Sequence, residues 1–500
     1  MTSFQLITLI LSAVTLFYYA WYGVQIYRNT TRAEEYILVA RHLSRKDYTQ
    51  TFVATSTSLA TALTFFFAFG AQFGLALIIA PIMFSLGVIL FRKITSIMAD
   101  DKFFENGTTL HQYILSKYDS SFVKNIATAI SLLGYLGIFV IELYVGVKIF
   151  TIFSPDPGWQ AFIAVILLLL VFLYVYLGGY PAVIKTDSLQ LKLITVGVGL
   201  LLLTFIVSIS SRGLWGEVLS MQYMNPLPNA LPWFFVVVMI VGNVPFQMLK
   251  MSNWHRAAAS GDYGRAKSAL SGGWKFTFLI WFVATICGIL GGVIAKNAGI
   301  EGFDINKAFS LLSNEIGNGT IFQIATQYIV YPLLFCGAIA ALISTADSAF
   351  IPILATYVFD MRYQGQDIDS SDEFSSEVLA STRKVVILFM MAGVLLYVLL
   401  TYVLNLQFIH LLFIFFNQQL VLFPVVWFAL MNSKEECSSY SSSAIISMIV
   451  AGIATWALAL YGGANQRDDL VMLSSVVGFV GSILVFYLIK PSAMMRLSMW

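Results

Sequence analysis

Ala340 to Phe350 reads AALISTADSAF, and it lies inside an apolar run that extends over 321–359. On a helix, Ala341, Ser344, Thr345 and Ser348 follow i, i+3, i+4, i+7 spacing and share one face, with Asp347 on an adjoining edge. A carboxylate deep in an apolar run is costly and marks a functional position by default. Hydroxyl oxygens on one face suit a small hard cation, above all where a partner helix adds carbonyl oxygens. The plainer reading of the same residues is a hydroxyl-rich packing seam with an interfacial aspartate.

The rest of the chain supplies the setting. Hydrophobic residues make up 59% of its 500 residues and charged residues 11%, against about half and about a quarter in soluble domains. That balance excludes an ordinary soluble enzyme. A net charge of +2 is too small to point to nucleic acid. Cys287, Cys336 and Cys437 are unpatterned, as are the four histidines, so neither a disulfide framework nor a zinc site is expected.

Long apolar stretches give thirteen candidate spans, near 4–26, 51–73, 75–97, 122–151, 159–178, 186–209, 232–250, 275–296, 321–359, 385–404, 407–431, 443–462 and 469–489. The first has no basic residue before it and no cleavage site after it, and reads as a retained span. Lys and Arg cluster in alternate loops: Arg28 to Lys46, Arg92 to Lys124, Lys250 to Lys275, and Arg362 to Lys384. This places the N-terminus outside and the C-terminus in the cytoplasm, as an odd number of spans requires. Beyond the first span, the five helices of 51–209 and the five of 232–431 follow similar hydropathy patterns. With five helices each, the second set sits upside down relative to the first, as in the inverted repeats of secondary transporters. The expected fold is an all-α polytopic membrane protein, one transmembrane domain of about thirteen helices. Span 4–26 precedes a 5+5 inverted-repeat core and two further helices follow over 443–489.

Polar residues inside the spans are the site candidates. FVATSTSLATALTFFFAFGAQFG, Phe52 to Gly74, carries Thr55, Ser56, Thr57, Ser58, Thr61 and Thr64. Such density fits close helix packing, or local unwinding that frees carbonyls for an ion. VGNVPFQMLK holds Asn243, Pro245 and Gln247, where proline kinks or breaks the helix and the amides can face a solute. Asp187 in GGYPAVIKTDSLQLK either pairs with Lys185 or Lys192 or turns into the bundle toward Ser344 and Ser348. Glu142 in GIFVIELYVG has no local partner; it contacts a solute or bonds to a neighbouring helix.

At these residues the chain resembles the sodium:solute symporter family, whose members share the inverted-repeat core of LeuT-like transporters. The matching motifs are GGYPAVIKTDSLQ (Gly178 to Gln190) and AALISTADS (Ala340 to Ser348), with weaker matches at SLATALTFF (Ser58 to Phe66) and HRAAASGDYGRAKSAL (His255 to Leu270). The resemblance implies sodium held by backbone carbonyls of the first core helix, at Ala60 and Leu63, and by Ala341, Ser344 and Thr345 of the eighth. It also implies a second sodium site at Asp187 with Ser344, Asp347 and Ser348. Solute contacts are expected at Thr64, Phe67, Glu142, Asn243 and Gln247. Lys185, the run Phe65 to Phe67, and Asn253-Trp254 depart from the family pattern, and sugar-like or acid-like pocket signatures are absent. A small or partly apolar solute such as an amino acid is expected.

The function implied is sodium-coupled symport of a small organic solute across the plasma membrane by alternating access. A proton-coupled carrier of the same fold, with Asp347 or Glu142 carrying protons, is the nearest rival. A non-transporting sensory module is the other. A membrane-embedded enzyme would need a converging nucleophile, base or metal set, and the sequence shows none.

Overall fold

A computed structural model describes residues 2–226, 232–316 and 321–489. The C-terminal residues placed in the cytoplasm by the charge pattern, 490–500, lie outside the described residues. No strand occurs among the described residues.

The main helices are α1 (Ser3–Tyr27), α2 (Arg45–Ser56), α3 (Phe66–Phe73), α4 (Ile79–Asp100), α5 (Ser121–Ile149), α6 (Pro157–Arg212), α7 (Trp233–Asn243), α8 (Met251–Ser260), α9 (Tyr263–Asn297), α10 (Tyr331–Ala355), α11 (Asp372–Val398), α12 (Phe408–Asn417), α13 (Phe423–Met431), α14 (Ser441–Ala464) and α15 (Asp468–Leu488). Local chemistry sets many of their starts. Ser44, Ser120, Asp156, Asp262 and Ser371 each precede a helix and accept a backbone N–H three residues on, which satisfies a donor that the first turn would leave orphaned.

Eleven helical stretches among the described residues are long and apolar enough to cross a membrane. Three of them, Leu59–Asp100, Gly158–Arg212 and Ile321–Arg362, run to 42, 55 and 42 residues, twice or more the ~20 residues that one crossing needs. Two of these are divided by glycine. Gly74 (φ 60°, ψ −139°) ends α3, and Gly179 (φ 55°, ψ −148°) breaks α6 in the gap between the expected spans 159–178 and 186–209. At Gly179 a Cβ would sit 2.6 Å from the Tyr36 carbonyl oxygen, so both backbone conformation and space select glycine there.

Burial grades inward. The most apolar window of Ile321–Arg362 is 89% buried, and that of Asp372–Val403 is 22% buried. Leu388 and Leu395 on α11 are exposed apolar side chains, as expected of a face solvated by lipid. The chain is a multi-pass membrane protein with α10 at its centre, where α10 packs against α1, α2, α5 and α6. α9 braces the other side of α2, α3 and α4.

Both interrupted helices expected from the sequence are interrupted. The first breaks at Thr57 (φ −112°, ψ 62°) and Ser58 (φ −76°, ψ 159°), then resumes as a wide π-helical segment, Leu59–Phe65. The second ends at Asn243, makes one turn over Phe246–Leu249, extends at Lys250 (ψ 105°) and restarts as α8.

Candidate functional site

The end of α2 poses a hydrogen-bond accounting problem, because an α-helix leaves its last carbonyls without intrahelical donors. Val53 O accepts the Thr57 hydroxyl at 2.8 Å. Ala54 O accepts the Thr57 N–H at 3.0 Å. Ser56 O accepts the Trp281 indole N–H of α9 at 2.9 Å. Thr55 O is met only by the Thr345 hydroxyl of α10, at 3.4 Å, a length at which a hydrogen bond is weak. The same hydroxyl lies 3.2 Å from Ala341 O. Thr55 O, Ala341 O and Thr345 Oγ1 thus converge with one proton shared loosely among them.

One helical turn away, two carboxylates are buried. Asp187 on α6 has turned into the bundle and accepts the Ser344 hydroxyl at 2.5 Å and the Thr51 hydroxyl on its other oxygen. Ser348 and Thr55 share a hydroxyl–hydroxyl bond of 2.8 Å. Asp347 accepts the Tyr174 hydroxyl on Oδ2, while its buried Oδ1 has no partner among the described residues. Neither aspartate forms an ion pair among the described residues. The cation that comes near is Arg256 of α8, itself 2% exposed. Its Nη2 donates to Thr55 Oγ1 at 2.6 Å and to Thr51 O at 3.4 Å.

On the other side of the break, the π-helical segment presents unpaired N–H groups. Ser58 accepts the Thr61 N–H at 2.8 Å, and the Glu142 carboxylate of α5 faces the Ser58 hydroxyl and the N–H groups of Leu59 and Ala60. An anion at a helix N-terminus is favoured by both the free donors and the dipole. Glu142 Oε2 has no partner. It borders a cavity of about 140 Å³, well below the ~300–1,000 Å³ of sites for drug-sized ligands. Phe65, Phe84, Trp281 and Phe413 form apolar walls, and Glu142, Lys250, Asn243 and Gln247 are polar groups on the lining.

The structure distributes the expected residues unevenly. Ala341, Ser344, Thr345, Asp187 and Ser348 fall in one continuous cluster with α2, and Asp347 lies beside it on α10, bonded to Tyr174 of α6. The α2 partner is the segment before the break, through Thr51 and Thr55, whereas Ala60 and Leu63 lie on the segment after it. Ala60 lines the cavity; Leu63 is buried in the apolar core. Of the expected solute contacts, Glu142, Asn243 and Gln247 line the cavity. Thr64 lines a separate cavity of about 330 Å³ with Tyr144, Lys148 and Asp304. Phe67 stacks on Phe303, with ring centroids 5.9 Å apart, and lines neither.

Sequence reading counted Lys250 and Arg256 as loop charges. Both belong to the bundle: Lys250 borders the cavity and Arg256 is buried against α2. The signal available was that Arg256 is followed by Ala257, Ala258 and Ala259, a small-residue surface suited to close packing. Thr51 and Tyr174, which hold the carboxylates, carried no signal beyond being polar residues at the edges of apolar runs.

No protein-family model and no curated protein matches this chain. Among solved structures, a Na⁺-coupled sialic acid symporter in a substrate-bound outward-open state matches with a TM-score of 0.74 at 16% identity, covering 97% of this chain and 98% of that one. A manganese transporter of Eremococcus coleocola matches with a TM-score of 0.52 at 15% identity, covering 90% and 95%. The architecture built from these broken helices is the LeuT-like fold that those two proteins have.

Proposed function

We propose that the chain is a cation-coupled symporter that carries a small solute by alternating access, with sodium as the coupling ion. The observation that carries this reading is Thr55 O, the one carbonyl at the end of α2 without a donor at normal distance, aimed at the Ala341–Thr345 face of α10. Sodium is held there by Thr55 O, Ala341 O and Thr345 Oγ1, with Ser344 and Ser348 alongside. Asp187 and Asp347 form a second cation position one turn away. Filling the first position ties α2 to α10. Coupling follows if sodium binds one of the two transport states more tightly. The thirteen crossings, the two inverted sets over 51–209 and 232–431, and the outside N-terminus belong to this reading.

The solute occupies the 140 Å³ cavity. Glu142 presents a free carboxylate oxygen to it, so the neighbour's acidic sugar is a poor model for this ligand. Glu142 with Lys250 at the rim and aromatic walls suits a small zwitterion with an apolar side chain, an amino acid. Proton coupling is the second reading, supported by Asp347 Oδ1, a buried carboxylate oxygen without a partner.

Uptake into proteoliposomes under separately imposed sodium and proton gradients tests the ion. Accumulation driven by a sodium gradient at equal pH is expected; accumulation driven by protons alone would replace sodium with the second reading. Thermal stabilisation by amino acids, sugars and carboxylates, with and without sodium, tests the solute, since ligands of the folded state raise its apparent stability. Stabilisation by sugars or dicarboxylates in preference to amino acids would overturn the assignment.

A further inference from the structure

Arg256 stands apart from the other basic residues. It is 2% exposed, and a buried guanidinium is retained only where its charge and its five donors find compensation. Its Nη2 contacts are Thr55 Oγ1 at 2.6 Å and Thr51 O at 3.4 Å. Both threonines are already part of the cation cluster, because the Thr51 hydroxyl donates to Asp187 and Thr55 bonds Ser348. The guanidinium is thus one hydroxyl removed from Ser348, through Thr55, and touches the carbonyl of the residue whose hydroxyl bonds Asp187. The Arg256 Nε–H is buried and without a partner among the described residues.

We infer that Arg256 is a tethered cation that competes with sodium for the α2–α10 cluster. With Arg256 on Thr55 and Thr51, its positive charge balances Asp187 from within the protein. A sodium ion on Thr55 O brings a second positive charge to the residue whose hydroxyl Arg256 already holds. Two like charges on the carbonyl and the hydroxyl of one residue in a poorly solvated site repel strongly, so occupancy by one disfavours occupancy by the other. Arg256 lies on α8, which the extended residue Lys250 separates from the preceding turn, so its withdrawal and the movement of α8 are a single event. The competition sets ion affinity and links ion binding to that helix. The inference deepens the symporter reading and rests on its ion site.

The test measures sodium-dependent thermal stabilisation of purified protein, with choline as the control cation, in wild type, Arg256→Gln and Arg256→Lys; sodium-dependent uptake is the second readout. Arg256→Gln keeps a hydrogen-bond donor and removes the charge. It is expected to lower the half-saturating sodium concentration by about tenfold, with Arg256→Lys in between and the solute KM at saturating sodium little changed. An unchanged or raised half-saturating concentration in Arg256→Gln would overturn the inference while leaving a sodium-responsive wild type as a symporter. A wild type blind to sodium beside an Arg256→Gln protein that responds to it would sink sodium coupling and uphold the tethered cation. Blindness in both would sink both. If Arg256→Gln fails to fold, Arg256→Lys decides by the same sign.

Discussion

The two interrupted helices close their freed carbonyls with different shares of local and distant partners. At the second break, Asn253 Nδ2 donates to Gln247 O at 2.8 Å and Trp254 Nε1 donates to Met248 O at 2.7 Å, both from the helix itself, while the Ser252 N–H goes to the Tyr135 hydroxyl of α5. At the first break, Thr57 closes Val53 O and Ala54 O locally, but Ser56 O is met by Trp281 of α9 and Thr55 O by Thr345 of α10, with Glu142 of α5 at the N–H groups beyond. A break closed by its own chain is a stable kink. A carbonyl closed by a distant helix keeps its partner only while that helix stays in place, which under the proposed function is what lets an ion there sense the arrangement of the bundle.

Four substitutions test that contrast, in order of expected effect. Asp187→Ala removes the acceptor for Ser344 and Thr51 and leaves two buried hydroxyls unpaired, at about 1–3 kcal/mol each. A large drop in unfolding temperature in detergent is expected, with the sodium response lost. A variant as stable as wild type would show that the trans-closed break does not depend on this carboxylate.

Gly288→Ala comes next. A Cβ at position 288 would lie 2.7 Å from Phe66 O and 2.8 Å from Phe67 O, so α9 must move off the helix that follows the first break. Overpacking of this kind costs about 1–3 kcal/mol, read as lower thermal stability. Unchanged stability would mean that α3 and α9 can separate freely, and the bracing described here would not hold.

Thr345→Ala removes one of the three converging oxygens and should raise the half-saturating sodium concentration about tenfold, equivalent to about 1.4 kcal/mol. The measurement is sodium titration of uptake at fixed solute. Thr345→Ser, which keeps the hydroxyl, is expected to restore the response. The smallest effect is expected from Asn253→Ala at the self-closed break, about 1 kcal/mol of stability from one lost hydrogen bond and no change in sodium dependence. A sodium shift from Asn253→Ala as large as that from Thr345→Ala would erase the distinction between the two breaks.

Legibility from sequence followed the same division. Pro245 and the hydroxyl-rich stretch from Thr55 to Thr64 marked where breaks were one of two readings, because proline and competing hydroxyls act on neighbouring residues; the fold chose the break over simple packing in both. The α10 face was legible to the residue, since i, i+3, i+4, i+7 spacing fixes which side chains share a face whatever surrounds them. Asp187 was legible as a choice between two partners, and the fold resolved it inward. The hydrogen bonds between α2 and α10 were not legible. Ala60 and Leu63 were carried over by motif and lie on the Leu59–Phe65 segment, which also packs against α10, while the bonds from α10 run to Thr55, and a carbonyl becomes available only where a helix loses its donors.

The sequence alone determined that this chain lives in a bilayer as many apolar helices and which face of α10 is polar, because hydrophobic length and helical periodicity are local properties. Tertiary structure decided which carbonyl stays unsatisfied, that Arg256 turns inward, and that Glu142 reaches the N–H groups of Leu59 and Ala60. Those are registers between helices far apart in sequence, and they are set by close packing across the whole bundle, which no single segment encodes.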